Sequence, residues 1–171
     1  MATLKKIVPH LWFSKEAEEA AAFYTSVFSD AEIGDITRYG DEGFEIHQMP
    51  AGTVMTVEFT IAGQKFVALN GGPVFTFNEA VSFMVLCNGQ DEVDYYWTKL
   101  SDGGDPSAQQ CGWLKDKFGL SWQIVPTILS DMLANKDQKK SQRTMKAILQ
   151  MKKLDIEQLE EAFEGKSVVM H

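Results

Sequence analysis

Cysteine is scarce in this sequence. Only two of the 171 residues are cysteine, Cys87 and Cys111, and they do not form a CxxC pair. Two isolated thiols without a Cys/His cluster argue against a disulfide framework and against a structural zinc site. We therefore predict two free thiols in a reducing compartment.

Positive charge is scarce as well. Sixteen Lys and Arg residues stand against 24 Asp and Glu, which gives a formal net charge of −8. Nucleic acids are bound by clustered basic side chains, so this balance argues against a nucleic-acid partner. The one basic run, at residues 136–146, also contains Asp137 and is typical of a solvated helix start.

Long apolar runs are missing too. No segment approaches the ~18 consecutive apolar residues that a membrane-spanning helix needs. The first residues, MATLKKIVPHLWF, lack the apolar block and the small-residue cleavage site of a signal peptide. We expect no membrane partner and a cytoplasmic location.

A phosphate-binding loop is also lacking. The run Asn70-Gly71-Gly72-Pro73 is rich in glycine, but it has no following Lys-Ser/Thr and does not open a helix. We predict a turn at this run.

What the sequence does contain is a strand–helix unit that occurs twice. Residues 5–13 alternate as a strand and lead into an amphipathic helix, and residues 80–104 repeat that order. Further strands are predicted at residues 31–39, 44–49, 53–62, 65–69, 107–114 and 120–125. After Pro126 the periodicity is helical, with helices at 127–134, at 141–151 and from Asp155, where Gln158 completes a capping-box-like start.

Several sequence blocks carry a family resemblance. They are IVPHLWF with AEEAAAFYTSVF, FVALNGGPVFTFNEAVSF, EVDYYW, CGWLKDKFGLSWQIVP and MKKLDIEQLEEAF. On these blocks the chain resembles the PhnB-like, 3-demethylubiquinone-9 3-methyltransferase-like family of the glyoxalase/bleomycin resistance/dioxygenase (vicinal oxygen chelate) superfamily. The order of elements alone also allows a ferredoxin-like sandwich.

The resemblance implies an α+β fold. Two βαβββ modules are expected to form a curled mixed sheet around a cavity, and C-terminal helices follow. The implied organisation is a single domain over residues 1–171, with module one at about 5–72, module two at about 80–126 and a helical extension at 127–165. The resemblance also implies a homodimer.

Enzymes of this superfamily bind a divalent metal, and the resemblance places the four ligand positions near His10, Glu58, Ser82 (or Val81) and Gln123. Histidine and glutamate are good metal ligands, but a neutral amide brings no charge to offset the ion. The sequence therefore assigns no metal or other cofactor firmly. His10, Glu58 and Gln123 remain candidate ligands for a possible divalent metal, and the alternative for His10 is a neutral imidazole bonded to Glu58 or Gln123.

Four functions stay open. The first is the binding of a small, partly aromatic or hydrophobic molecule, and the second is a metal-dependent lyase, isomerase or dioxygenase that uses His10 and Glu58. The third is the methyltransferase activity of the family label, although this sequence has no glycine-rich loop of the kind that binds a nucleoside cofactor. The fourth is a purely structural dimeric module. Catalytic residues are not assigned, and the candidate pocket residues are His10, Trp12, Glu58, Ser82, Cys111, Trp113 and Gln123.

Overall fold

The structure is a computed structural model that describes residues 6–166, and the chain divides into two compact units, Met1–Phe77 and Asn78–His171. The first unit carries a four-stranded sheet in the order β1-β4-β3-β2. β1 runs parallel to β4, and the other neighbours are antiparallel. Its elements are β1 (His10–Phe13), α1 (Ala17–Val27), β2 (Ala31–Arg38), α2 (Phe44–His47), β3 (Val54–Ile61) and β4 (Gln64–Asn70).

Helix α1 covers one face of this sheet. Its alanines at positions 17, 20 and 21 are fully buried, and small side chains let a helix approach a sheet closely. The Tyr24 ring stacks on Phe59 of β3 with a centroid distance of 5.8 Å, and Phe59 stacks on Phe66 of β4 at 5.2 Å. Within the described residues the opposite face carries no long helix from this unit, only the short α2, and its side chains are the ones that can form a site.

The strand predicted at residues 44–49 is wrong. This segment forms a single helical turn, α2, between two residues with left-handed backbone, Gly43 (φ 81°) and Gln48 (φ 54°). The alternation of Phe44 and Ile46 resembles that of a strand, but both side chains are exposed. Local bonds from the amides of Ile46 and His47 to the Gly43 carbonyl stabilise the turn instead.

The second unit carries a three-stranded sheet in the order β5-β7-β6, with β5 parallel to β7 and β6 antiparallel to it. A fourth strand, expected from a full βαβββ module, is not found within residues 78–166. The elements of this unit are β5 (Ser82–Cys87), α3 (Gln90–Ser101), β6 (Trp113–Lys115), β7 (Ser121–Pro126), α4 (Ile128–Leu133), α5 (Gln138–Ile148) and α6 (Ile156–Glu164).

The strand predicted at residues 107–114 is shorter than expected. Its first part is a 3₁₀ turn, Pro106–Ala108, because Pro106 favours a turn start and Asp105 accepts bonds from the Ser107 amide and hydroxyl. Cys111 and Gly112 then take positive φ values of 56° and 84°, which interrupts extended backbone. Only Trp113–Lys115 pairs as β6.

The three C-terminal helices of the second unit pack against each other and against its strand β7. Leu129 and Met132 of α4, Ile148 of α5 and Leu159 of α6 form a buried cluster with Leu154, and Val125 of β7 lies against it. The predicted start of α6 is confirmed, since the Asp155 carboxylate accepts from the Gln158 amide at 2.9 Å. The α+β class with helices at the C-terminal end is therefore confirmed. No helix within residues 6–166 is long and apolar enough to span a membrane.

Each sheet is tied at one end by a buried polar side chain. In the first unit, Asn70 accepts from the Ala17 amide (2.9 Å) and donates to the Val54 carbonyl (3.1 Å), which joins β4 to α1 and β3. In the second unit, Asp116 accepts from the amides of Phe118 and Leu120 and from the Trp122 indole. Both side chains satisfy donors or acceptors that would otherwise be buried without a partner.

Candidate functional site

The open face of the first sheet brings His10 and Glu58 onto one surface. Both residues pair with Val67, His10 from β1 and Glu58 from β3, so all three side chains project to the same side. Because neighbouring strands lie about 4.8 Å apart, the Cα atoms of His10 and Glu58 are separated by roughly 10 Å. These two candidate residues therefore share one face of the first sheet.

Glu58 has a partner that the sequence did not suggest. The Glu58 carboxylate forms an ion pair with Lys65 Nζ at 2.6 Å, and both side chains are partly exposed. His10 is exposed, and no described residue hydrogen-bonds its ring. Lys65 lies on β4, across a hairpin from Glu58, and the strand register places the two side chains diagonally opposite each other. The sequence alone does not give this register, so Lys65 was not identified as a partner.

The donor set of this face does not match a metal site. A catalytic zinc site uses three protein ligands, whereas this face offers one imidazole and one carboxylate that already holds an ammonium group. No group of three or more His, Cys, Asp or Glu side chains within residues 6–166 is arranged to hold an ion. The residues of the first unit therefore do not fit a metal by themselves.

The second unit carries neutral groups at the corresponding positions. The Gln123 amide donates to the Ser82 hydroxyl at 2.9 Å, so these two candidates lie together. Trp113 of β6 pairs with Gln123 and shares its face. Lys115 lies on the same face, and its bond to Glu79 holds the pKa of the Glu79 carboxyl below its usual value. This face offers hydroxyl and amide groups and no anionic ligand at the Gln123 position.

Cys111 lies away from these candidates. Its amide donates to the Met151 carbonyl at 2.8 Å, and its side chain packs against the helical cluster around Leu154. Cys87 is fully buried, and burial raises the pKa of its thiol to about 11. Both thiols are free, as predicted.

A groove of about 660 Å³ opens beside Trp12 in the first unit. Its volume lies within the range of small-molecule sites, roughly 300–1,000 Å³. Trp12 is the one predicted pocket residue that lines it. We call it the Trp12 groove, and its lining residues are Trp12, Tyr39, Ile46, His47, Gln48, Met49, Leu69, Gly71, Gly72, Pro73 and Val74.

The glycines that follow β4, Gly71 and Gly72, leave room for the indole ring of Trp12. A Cβ atom at Gly71 would overlap the indole ring, so only glycine fits under it. The indole N–H donates to the Gly72 carbonyl at 2.8 Å. The Gly71 and Gly72 amides donate to the carbonyls of Phe13 and Ser14, and neither is free to bind phosphate. The prediction of a turn is confirmed.

The α2 turn supplies the other wall of the groove. The Tyr39 and His47 rings lie 4.5 Å apart between centroids and are tilted by 34°. Ile46 and Met49 come from the same turn. Sequence reasoning missed these residues because it assigned the segment to a strand. The one hint in the sequence is Gly43, a residue type that tolerates the left-handed backbone found at the start of α2.

Comparisons with known proteins agree on one family. Residues 5–125 match the family model described as 3-demethylubiquinone-9 3-methyltransferase. A PhnB protein from Bacillus cereus, assigned to the same methyltransferase type, is 37% identical; the match covers 72% of this chain and 100% of that one, with a TM-score of 0.60. No curated protein matches the sequence significantly.

One more distant structure shares the fold. Protein PA1353 from Pseudomonas aeruginosa is 19% identical over 72% of this chain and 98% of its own, with a TM-score of 0.54. The fosfomycin resistance protein FosX from Listeria monocytogenes is 16% identical over 77% of this chain and 98% of its own, with a TM-score of 0.49. That last likeness is too low to bear on the site.

Proposed function

This chain belongs to the 3-demethylubiquinone-9 3-methyltransferase (PhnB-like) family of the vicinal oxygen chelate superfamily, and on that premise we propose that it binds a small, hydrophobic or partly aromatic molecule. The observation that carries the proposal is the Trp12 groove, whose walls are aromatic and aliphatic side chains. Apolar walls with a few fixed polar groups are typical of small-molecule sites.

The rigidity of the groove supports this function. Trp12 is fixed by its bond to Gly72 and by the edge of the Phe75 ring, whose centroid lies 5.0 Å away. A preformed wall reduces the conformational entropy lost when a ligand binds. Leu69, which neighbours Trp12 in the strand register, extends the apolar surface along the open face of the sheet.

A fluorescence titration tests the proposal. A panel of naphthalene and quinone derivatives is titrated against the wild type, Trp12→Ala and the control Trp113→Ala, which removes a tryptophan from the second unit. We expect saturable binding by the wild type and by Trp113→Ala, and a loss of at least about tenfold in affinity for Trp12→Ala, since aromatic contacts dominate such sites. Binding that survives in Trp12→Ala places the ligand elsewhere, and no binding by any compound contradicts the proposed function.

A second candidate function is that of a metal-dependent lyase, isomerase or dioxygenase. It rests on His10 and Glu58, which flank Val67 on one face of the first sheet, and a metal there would have to displace Lys65 from Glu58 and gain further ligands. The measurement is the metal content of protein purified without chelator or nickel resin, repeated for His10→Ala and Glu58→Gln. Stoichiometric metal that both substitutions remove favours this candidate, and a metal-free wild type that takes up no added metal rules it out.

Methyl transfer, the activity in the family description, has less support. The one glycine-rich turn of the first unit uses its amides to bond β1, so it offers no cradle for a nucleoside cofactor. Calorimetric titration with S-adenosylmethionine checks this, and measurable affinity would restore the methyltransferase candidate.

We also propose a single domain that forms a homodimer in the cytoplasm. The support for self-association is the edge strand β5, which exposes the apolar side chains of Met84 and Leu86. Exposed apolar edges of this kind favour pairing with another chain. Sedimentation velocity of the wild type and of Met84→Glu tests it: a dimer that the substitution dissociates supports the proposal, and a wild-type monomer at micromolar concentration rejects it.

A further inference from the structure

The Trp12 groove contains no charged side chain. Charged residues make up 23% of the sequence, yet none of the lining residues is Asp, Glu, Lys or Arg. The titratable side chains in its wall are those of Tyr39 and His47. The charge state of the groove therefore depends on how these two groups are bonded.

Both ring nitrogens of His47 form hydrogen bonds within the protein. The Met49 amide donates to Nδ1 at 3.0 Å, which requires a lone pair on that nitrogen. The ring proton must then lie on Nε2, which donates to the Glu42 carbonyl at 3.1 Å. Neither nitrogen is left over for a bond to a ligand in this arrangement.

The remaining aromatic polar groups are also satisfied internally. The Tyr39 hydroxyl donates to the Asn70 carbonyl at 2.6 Å, and the Trp12 indole N–H donates to the Gly72 carbonyl at 2.8 Å. These bonds leave the ring surfaces as the part of each side chain that a ligand can contact. The Gln48 side chain is exposed and supplies the groove with a neutral amide.

We infer that the Trp12 groove selects an uncharged, flat aromatic ligand and discriminates against anionic and cationic analogues of the same shape. The inference rests on the proposed function and adds the chemical class of the ligand. A charged group that entered the groove would lose hydration and meet no opposite charge among the lining residues. A flat neutral ring would instead gain contact with the indole and with the apolar side chains of Met49 and Leu69.

Three ligands of nearly equal shape separate charge from size. They are 2-naphthamide, 2-naphthoate and 2-naphthamidine, which are neutral, anionic and cationic at pH 7. Each is titrated calorimetrically against the wild type at low and at high salt. We expect 2-naphthamide to bind about tenfold more tightly than either charged analogue, because only the charged groups lose uncompensated hydration. High salt should leave the affinity for the amide unchanged.

A single added charge provides the matched variant. Gln48→Lys places an ammonium group at the groove on an exposed position, so the fold should tolerate it. We expect this variant to gain severalfold in affinity for 2-naphthoate relative to 2-naphthamide. Gln142→Lys, at an exposed position on α5, adds the same charge elsewhere and should leave the order of the three ligands as in the wild type.

The outcomes distinguish the inference from the proposed function. If 2-naphthoate or 2-naphthamidine binds the wild type as tightly as 2-naphthamide does, or if Gln48→Lys gains no affinity for 2-naphthoate, the inference is wrong while ligand binding stands. If none of the three ligands binds, the proposed function and the inference both fail. Tight binding of 2-naphthamide that Trp12→Ala removes supports both.

Discussion

The two units use the same order of strand and helix but hold different chemistry on their open faces. The face of the first sheet carries an imidazole, an ion pair between Glu58 and Lys65, and the indole of Trp12. The face of the second sheet carries Gln123 bonded to Ser82 and, beside them, Trp113. The buried face of each sheet must pack against a helix, which restricts its side chains in both units. The open faces carry no such restriction, so their side chains differ between the units.

The buried polar side chains at the ends of the two sheets, Asn70 and Asp116, also differ in their hydrogen bonding. Asn70 both donates and accepts, as the Val54 carbonyl and the Ala17 amide require. Asp116 meets three donors and only accepts. Each side chain matches its surroundings, so exchanging the two types between the units should destabilise both.

The largest effect is expected for Asp116→Asn. The new amide group would face either the Trp122 indole N–H or the amides of Phe118 and Leu120, and one donor would lose its acceptor. We expect the free energy of unfolding to fall by about 3 kcal/mol, since hydrogen bonds to buried charged groups are strong. Urea denaturation measures it, with exposed Asp102→Asn as the control. A loss below about 1 kcal/mol would show that the carboxylate is not needed at this turn.

Asn70→Asp should cost somewhat less in the first unit. The carboxylate would keep the bond from the Ala17 amide but would place an oxygen against the Val54 carbonyl. We expect a loss of about 2 kcal/mol in the free energy of unfolding, and exposed Asn78→Asp serves as the control. If the substitution leaves the urea midpoint unchanged, the contrast between the two ties does not hold.

Gly71→Ala tests how the Trp12 indole is held in the groove of the first unit. The added methyl group overlaps the Trp12 indole and must displace it, whereas a Cβ at Gly40 meets no neighbouring atom. We expect Gly71→Ala to lose about 1–3 kcal/mol in the free energy of unfolding and to shift the tryptophan emission, with Gly40→Ala unchanged in both. Equal behaviour of the two variants would mean that the indole is not fixed by the glycine run.

Thiol labelling probes the second unit alone, because the only two cysteines of the chain are Cys87 and Cys111. Burial raises the pKa of Cys87 to about 11, so its reactive thiolate is scarce at pH 8 and increases as the pH rises toward that value. We expect one fast thiol, removed by Cys111→Ala, and one that reacts only slowly unless urea is added. Two fast thiols in the native protein at pH 8 would contradict the burial of Cys87.

Local sequence patterns predicted most of the elements. The alternation at residues 53–62 and the helical stripe after Pro126 specify β3 and the C-terminal helices because burial on one face imposes a fixed period on a strand or helix. The errors fell where irregular backbone interrupts a pattern. Phe44 and Ile46 alternate as in a strand, but the left-handed residues around them close a helical turn.

The candidate site was predicted only in part. His10 and Glu58 share a face, as the strand period requires, and Gln123 lies beside Ser82. Cys111 packs in the helical cluster, and the Tyr39 and His47 wall was not foreseen. Periodicity tells which side of a strand a residue occupies, but it carries no information on partners that arrive from a distant hairpin.

The sequence by itself determined the order of elements, the free thiols, the capped start of α6 and the membership of the family. These depend on composition, on short motifs and on periodic burial, all of which act within a few residues. The tertiary structure decided that Lys65 pairs with Glu58 and that the glycine run seats Trp12. It also decided that the His47 ring lies beside Tyr39, with centroids 4.5 Å apart. These contacts follow from strand register and loop closure, which join residues far apart in the chain.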